Sequence, residues 1–420
     1  MRGFSMKNKR SFTYIILTIS LLTAYQFVIT PEYTSGLSAQ NGVEFDWHLE
    51  KISAFDAWKI TNGSSDVVIA VIDSGICFNH SEITHAEWIN TDEIAGNAID
   101  DDANGYTDDV AGWDFVSIGE TPDNEPEGEP GDQVHWHATF IAGLISAAID
   151  GDGIAGIASK VTLMNLRVLK ADNYAGCTYE ELGDSIRYAV DNGADVISMS
   201  LHNYPNTLDY YDDILYAYEN NVSLVSVTGN RWLASGGGYY YRSYPGGYDE
   251  VISVGATNYY DVKADYSNYG PWTELVAPVG DQAYDTIQHV IHSTYANGTD
   301  YIYGLGTSFA CPQIAAAIAL MISANSSVTS AEIRDILQKT ATDLGVEGKD
   351  DYYGYGMLNV TAAVMEAVER GSVIQPETPT PTPTPTNTST NGFPGFTALI
   401  SIVSVSTCSV VIIVITRKRK

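Results

Sequence analysis

Basic residues are scarce in this chain: 21 Lys and Arg stand against 52 Asp and Glu among 420 residues. Eight of those bases lie in the first forty and the last four residues. Between these ends, 13 bases face 51 acids, a net charge near −38. So acidic a region argues against nucleic acid as a partner, because phosphate recognition needs a basic footprint. It suits a soluble extracellular domain, in saline surroundings or loaded with cations, and charge alone does not choose between these. Cysteine is also scarce, at Cys77, Cys177, Cys311 and Cys408. Cys408 falls in a C-terminal apolar run, and the other three cannot all pair with one another. A disulfide-stapled fold is therefore not expected. The chain is 45% apolar, and its middle section is long enough for one large α/β domain.

Four segments carry candidate chemistry. Gly306-Thr307-Ser308-Phe309-Ala310-Cys311-Pro312 puts a serine just before the apolar run Ile314 to Met321. That reads as a nucleophile on a loop entering a buried helix, whose N-terminus offers positive potential and free N–H groups. Alone, such a serine is more often an N-cap. Val67 to Ile72 is a buried, mostly β-branched strand ending in Asp73-Ser74-Gly75-Ile76. An Asp at that end lies where open α/β sheets place their sites, or simply caps a turn. His137-Ala138-Thr139-Phe140-Ile141-Ala142-Gly143 opens a small-residue helix with a histidine. A lone histidine is usually structural. Ser223 to Thr228 is a strand ending in Gly229-Asn230, where an amide can donate to an oxyanion or merely shape a turn.

Together, Asp, His, Asn and Ser at strand ends and helix starts make a serine-hydrolase set, in the chain order of the subtilisin type. The segments resemble the motifs of the subtilisin-like serine peptidases, the subtilases. Asp73-Ser74-Gly75-Ile76 matches their Asp motif. His137 to Gly143 matches their His motif, and Gly306 to Ala316 their Ser motif. Smaller echoes lie at Gly193 to Leu201, Val251 to Ala256, Tyr266 to Gly270 and Gly354-Tyr355-Gly356. The match runs from about Trp47 to about Glu369.

The resemblance implies a three-layer α/β/α fold with a mostly parallel central sheet, and a serine endopeptidase acting on protein or peptide substrates. A monomer is expected. Ser308 would be the nucleophile, His137 the base and Asp73 its orienting partner. Asn230 and the Ser308 N–H would form the oxyanion hole. His135 is a rival base, but the spacing to Thr139, Ala142 and Gly143 fits the family from His137. Ser200, Leu201 and His202 match the edge strand that pairs with substrate. Val227, Thr228 and Gly229 match the opposite pocket wall.

This chain departs from the family pattern in places. His202 replaces a usual glycine, and its ring either narrows the cleft, favours acidic side chains or points to solvent. Ala138 and Phe140 replace a glycine and a second histidine. Phe309 replaces a methionine, and Gln313 and Ala316 replace a histidine and a glycine. None removes a catalytic group. No cofactor is expected for catalysis, and Cys311 is not the nucleophile. Cys77 and Cys311 follow the Asp and Ser motifs closely, which places them near one another without establishing a bridge.

Asp100 to Asp109 concentrates acid. Asp100, Asp102, Asn104 and Asp108 stand at the first, third, fifth and ninth places of a calcium-loop pattern with Gly105 at the sixth. The twelfth place is Ala111, so the bidentate Glu is missing. The expectation is a structural calcium ion; the plainer alternative is a solvated acidic turn.

The ends have their own character. Residues 1–39 read as a signal peptide, with a basic patch from Lys7 to Arg10 and an apolar stretch from Phe12 to about Ile29. An uncleaved anchor is the other reading. About seven residues then precede Trp47, so no prodomain is expected. Residues 40–370 are the peptidase domain and 371–395 a Thr/Pro-rich stalk. Residues 396–416 form an uncharged span long enough to cross a bilayer, and 417–420 are a basic cytoplasmic tail. This places the catalytic domain on the extracellular face of the membrane. Pro394-Gly395-Phe396 with that span and tail resembles archaeal sorting signals that direct cleavage and lipid attachment. Otherwise the helix is a permanent anchor. Asn62, Asn297 and Asn325 are glycosylation acceptors by pattern.

Two other readings compete. One is a binding or wall protein on the same scaffold whose catalysis has faded. His202, Phe140 and Gln313 support it, and the complete set of Asp73, His137, Asn230 and Ser308 opposes it. The other makes carboxylates of the acidic loop a glycosidase pair, but nothing places them across a sugar cleft.

Overall fold

The computed structural model describes residues 47–117, 121–128, 136–169, 176–202, 208–230, 240–282 and 286–373. These all belong to the unit that ends at Gln375. The signal segment, stalk, apolar span, sorting motif and basic tail lie outside the described residues, as does His135.

Seven parallel strands form the central sheet. They are β1 (Val68–Asp73), β2 (Gly112–Asp114), β3 (Thr162–Arg167), β4 (Val196–Met199), β5 (Ser223–Val227), β6 (Ile252–Thr257) and β7 (Leu275–Pro278), in spatial order β2-β3-β1-β4-β5-β6-β7. A separate antiparallel hairpin joins β8 (His292–Thr294) to β9 (Tyr301–Tyr303). The helices are α1 (Trp47–Lys51), α2 (Ala54–Ala57), α3 (His137–Ser146), α4 (Tyr179–Asp191), α5 (Tyr211–Glu219), α6 (Cys311–Ala324), α7 (Ser330–Thr340) and α8 (Val360–Val373).

The strand pattern explains the layering. Successive side chains of a strand face opposite ways. Ile69 and Val71 of β1 join one core with α3 and α6. Ala70 and Ile72 join another with α4 and α5. The central strands are thus covered on both faces, which is why they read as continuous Val/Ile runs. Helix α6 is buried all round from Cys311 to Met321, which is why it is almost wholly apolar apart from Gln313, and Pro312 suits its first turn. Among the described residues, Thr307–Ala324 is the one stretch long and apolar enough to cross a membrane, and 83% of it is buried inside the fold. Helix α4 starts on a reciprocal cap, with Thr178 and Glu181 satisfying each other's backbone N–H groups.

β4 covers Val196–Met199, inside the Gly193 to Leu201 segment noted in the sequence. Ser200, Leu201 and His202 leave the sheet there. Chain order reverses around β1, which lies between β3 and β4. A parallel sheet opens its crevice at the carboxyl ends of strands flanking such a point. Asp73 ends β1, and the segments after its neighbour β4 and the next strand β5 leave the sheet at the same edge.

Candidate active site

Asp73 is fully buried as the last residue of β1. Its Oδ1 accepts from the Ser74 N–H at 2.7 Å and from His137 Nδ1 at 2.7 Å. His137 is the first residue of α3 and is itself buried. Two bonds lock that helix start to the loop after β1. Ser74 Oγ accepts from the Ala138 N–H at 3.1 Å, and Thr139 Oγ1 accepts from the Cys77 N–H at 3.0 Å. With Nδ1 donating to Asp73, Nε2 is the ring nitrogen that accepts a proton.

Ser308 sits in a short 3₁₀ turn, Thr307–Phe309, directly ahead of α6. Its hydroxyl donates to the Ser200 carbonyl at 3.3 Å, and Ser200 Oγ donates to the Ser308 carbonyl at 2.7 Å. The serine turn is therefore fastened to the segment after β4. Asn230, after β5, fastens it on the other side. Its Oδ1 accepts from the Thr307 N–H at 2.8 Å and from Thr307 Oγ1 at 2.9 Å. The opposite end of the amide is a donor, the kind of group an oxyanion needs. Gln313 Nε2 donates to the carbonyls of Pro278 and Phe309, at 2.8 and 2.9 Å. It ties the turn to the end of β7.

An aromatic group lies against the histidine. The His137 and Phe309 ring centroids are 5.3 Å apart, and Phe309 packs on Phe140 at 4.1 Å. Trp136 sits 6.0 Å from Phe140 and 6.2 Å from Phe309. Cys311 is buried beside Ser198, 3.6 Å from its hydroxyl, and burial pushes its thiol up to about 12. Such a thiol is a poor nucleophile at neutral pH. Cys77, Cys177 and Cys311 are all unbridged.

The expected substrate-binding residues fall on two neighbouring segments. Ser200, Leu201 and His202 follow β4, while Val227 ends β5 and Thr228 and Gly229 follow it. Ser226 Oγ donates to the Leu201 carbonyl at 3.2 Å and holds the segments together. The solvent-facing reading of His202 is corrected: the residue is 3% exposed, because its ring lies against Gly229 on the opposite segment. Ser243 and Asn268 were not anticipated. Both donate to the Thr228 carbonyl, at 2.7 and 3.2 Å. Tyr266 to Gly270 was noted in the sequence only as a family echo, and nothing there pointed to the pocket wall.

In the acidic loop, one oxygen each of Glu93, Asp100 and Asp102 lie within 4.8 Å of one another. An all-oxygen set of this kind suits a hard cation. Glu93 was missed because it lies outside the loop pattern. It is buried, and accepts from the N–H groups of Asp101, Asp102 and Asp108. Asn104 turns its amide nitrogen toward Asp102 and Asp109, at 3.1 and 3.0 Å. The Asp108 carboxylate accepts from the N–H groups of Asn97 and Ala98.

The subtilase family profile matches residues 64–356. The chain is 32% identical over 309 residues to a thermophilic serine proteinase of Bacillus sp. (strain AK1), covering 73% of this chain and 64% of that protein. It is 31% identical over 316 residues to thermitase of Thermoactinomyces vulgaris, covering 75% and 94%. A halolysin-like extracellular serine protease, Nep of Natrialba magadii, is 30% identical, with 77% and 52% covered. The chain thus spans just under two thirds of the first of these relatives and about half of the third. Among solved structures, a lanthipeptide protease aligns with a TM-score of 0.61 at 25% identity, covering 77% of this chain and 94% of that one.

Proposed function

The chain belongs to the subtilase family of serine-type endopeptidases, and we propose that it hydrolyses peptide bonds through Ser308, His137, Asp73 and Asn230. The observation that carries this reading is the buried 2.7 Å bond from His137 Nδ1 to Asp73. It fixes the tautomer and supports the imidazolium that forms when the base takes a proton. The 3.3 Å bond from Ser308 to the Ser200 carbonyl is long, so little is lost when the hydroxyl turns toward Nε2. Ser308 then attacks the scissile carbonyl and His137 takes its proton. The developing oxyanion is met by the Asn230 amide and the Ser308 N–H. His137 next protonates the leaving amine, and water hydrolyses the acyl-enzyme by the reverse sequence.

Substrate would lie extended along Ser200, Leu201 and His202, with its side chain directed between that segment and Val227, Thr228 and Gly229. Glu93, Asp100 and Asp102 would hold a structural calcium ion, with Asn104 and Asp108 supporting the loop. Calcium would order that loop and take no part in acyl transfer. Secretion is supported by the extracellular relative and by the apolar N-terminal segment. The stalk, apolar span and basic end support tethering of the enzyme at the outer membrane face.

Labelling by a serine-directed phosphonate tests the catalytic set. The wild type should be labelled and should cleave a mixed peptide library, while Ser308→Ala should do neither. A folded wild type that is neither labelled nor cleaves peptides would overturn the reading.

A further inference from the structure

His202 decides which side chain this site accepts, on the catalytic reading just given. β4 and β5 are parallel neighbours, with Met199 opposite Ser226. The segments that follow them leave the sheet side by side, next to Ser308 on one and Asn230 on the other. A substrate whose carbonyl reaches both must place that residue's side chain in the gap between the segments. The gap already holds a ring. The His202 Cγ stands 3.2 Å from where a Cβ on Gly229 would be. The same point is 2.9 Å from both Ser243 Oγ and Asn268 Nδ2. Gly229 has φ +91°, so glycine is favoured there on backbone grounds as well. Even with no side chain at Gly229, the imidazole lies close against that residue and is 3% exposed.

We propose that the His202 imidazole occupies the pocket for the residue preceding the cleaved bond, and restricts that residue to small side chains such as Gly, Ala or Ser. The backbone on either side of the ring is held in place. Ser243 and Asn268 both hold the Thr228 carbonyl beside it, and Ser226 holds Leu201. A preference for acidic side chains does not follow, because burial lowers the basicity of His202 to about 4 and leaves the ring neutral at neutral pH.

The test uses the full-length protein and peptides identical except for Ala, Leu, Phe or Asp before the cut. Phosphonate titration first counts competent Ser308 sites, so failure of catalysis is distinguished from failure of this inference. The wild type should favour Ala over Phe in kcat/KM by at least about 10-fold, the scale set by steric exclusion from a pocket. In His202→Gly the Phe-to-Ala ratio should rise by at least about 10-fold. His202→Ala should raise it less. A wild type that is labelled yet prefers Phe, Leu or Asp would overturn the proposal. So would a labelled His202→Gly with an unchanged ratio. The wild-type profile decides the matter even where a variant fails to fold.

Discussion

Replacing Asn230 tests two roles at once, and the structure shows how to separate them. Asn230 Oδ1 holds both the N–H and the hydroxyl of Thr307, a fully buried residue. Its amide nitrogen is the proposed oxyanion donor. Asn230→Ala removes both functions. A buried N–H left without an acceptor costs about 1–3 kcal/mol of stability. Loss of the donor should lower kcat by about 10²–10³, roughly 3–4 kcal/mol of activation free energy, the loss found in a subtilisin when such a donor is removed. Asn230→Asp keeps an oxygen for Thr307 but replaces the donor with an acceptor. It should lose at least as much turnover as Asn230→Ala while melting closer to the parent. The assay is kcat and KM on a peptide the wild type cleaves. Melting is measured in a Ser308→Ala background to prevent autolysis. The donor acts in the transition state, so kcat should fall with KM little changed. Asn230→Asp retaining kcat within about threefold would refute the oxyanion role. Equal melting of Asn230→Ala and its parent would refute the anchoring role.

Three further outcomes are expected. Phe140→Ala and Phe309→Ala, measured singly and together, should show a coupling of about 0.5–1.5 kcal/mol in stability, since the rings are 4.1 Å apart; additivity would show that the pair is not a unit. Calcium at a hundredfold its Kd should stabilise the protein by about 2.7 kcal/mol, and chelator should remove that increment. Glu93→Gln should weaken the calcium response without slowing phosphonate labelling of Ser308, and an unaltered response would discount Glu93 as a ligand. The third outcome concerns pH. Burial lowers the basicity of His48, His202 and His292 to about 3, 4 and 4, with His292 adding to the effect at His48. Above about pH 6.5 each is neutral both folded and unfolded, so its contribution is fully present. As pH falls toward 4 the unfolded chain takes up protons first, and up to roughly 3 kcal/mol is lost for His202. Burial raises Asp114 to about 6, despite the opposing pull of Arg167, and that works in the other direction. The informative measurement is therefore a difference: between pH 6.5 and 4 the parent should lose melting temperature relative to His202→Gly. Parallel curves would refute it.

The strands that were legible in the sequence are the ones buried on both faces. β1, β3, β4 and β5 place residues in both apolar cores, and β6 places Ile252, Val254 and Ala256 in one of them. β2 and β7 are the edges of the sheet and were not anticipated. Gly112-Trp113-Asp114 is three residues long and takes its strand conformation from pairing with β3. Leu275-Val276-Ala277-Pro278 ends in proline, which weakens any strand reading. The hairpin strands β8 and β9 are also three residues each, too short for a periodic signal. The candidate site was legible where its residues sit inside motifs, at Asp73, His137, Asn230 and Ser308. It was not legible at Glu93, Ser243 and Asn268, whose placement is made by tertiary structure.

The same limit applies to the departures from the family pattern. Along the chain, Phe140, Phe309, Gln313 and His202 look like four separate lapses in a catalytic signature. In space they have specific partners. Phe140 and Phe309 pack together, and a Cβ on Gly304 would stand 2.5 Å from one ring and 2.9 Å from the other, so the missing side chain there makes their room. Gln313 reaches the carbonyl of Phe309 itself and that of Pro278. His202 lies on Gly229. Phe140 and Phe309 fill one another's space and Gln313 Nε2 ties down two carbonyls, so these replacements are packed into the fold rather than left loose. None of them displaces the Asp73–His137 bond. The changes therefore argue for an altered pocket around retained chemistry, and the side-chain preference of the first bond cut is where that alteration should be visible.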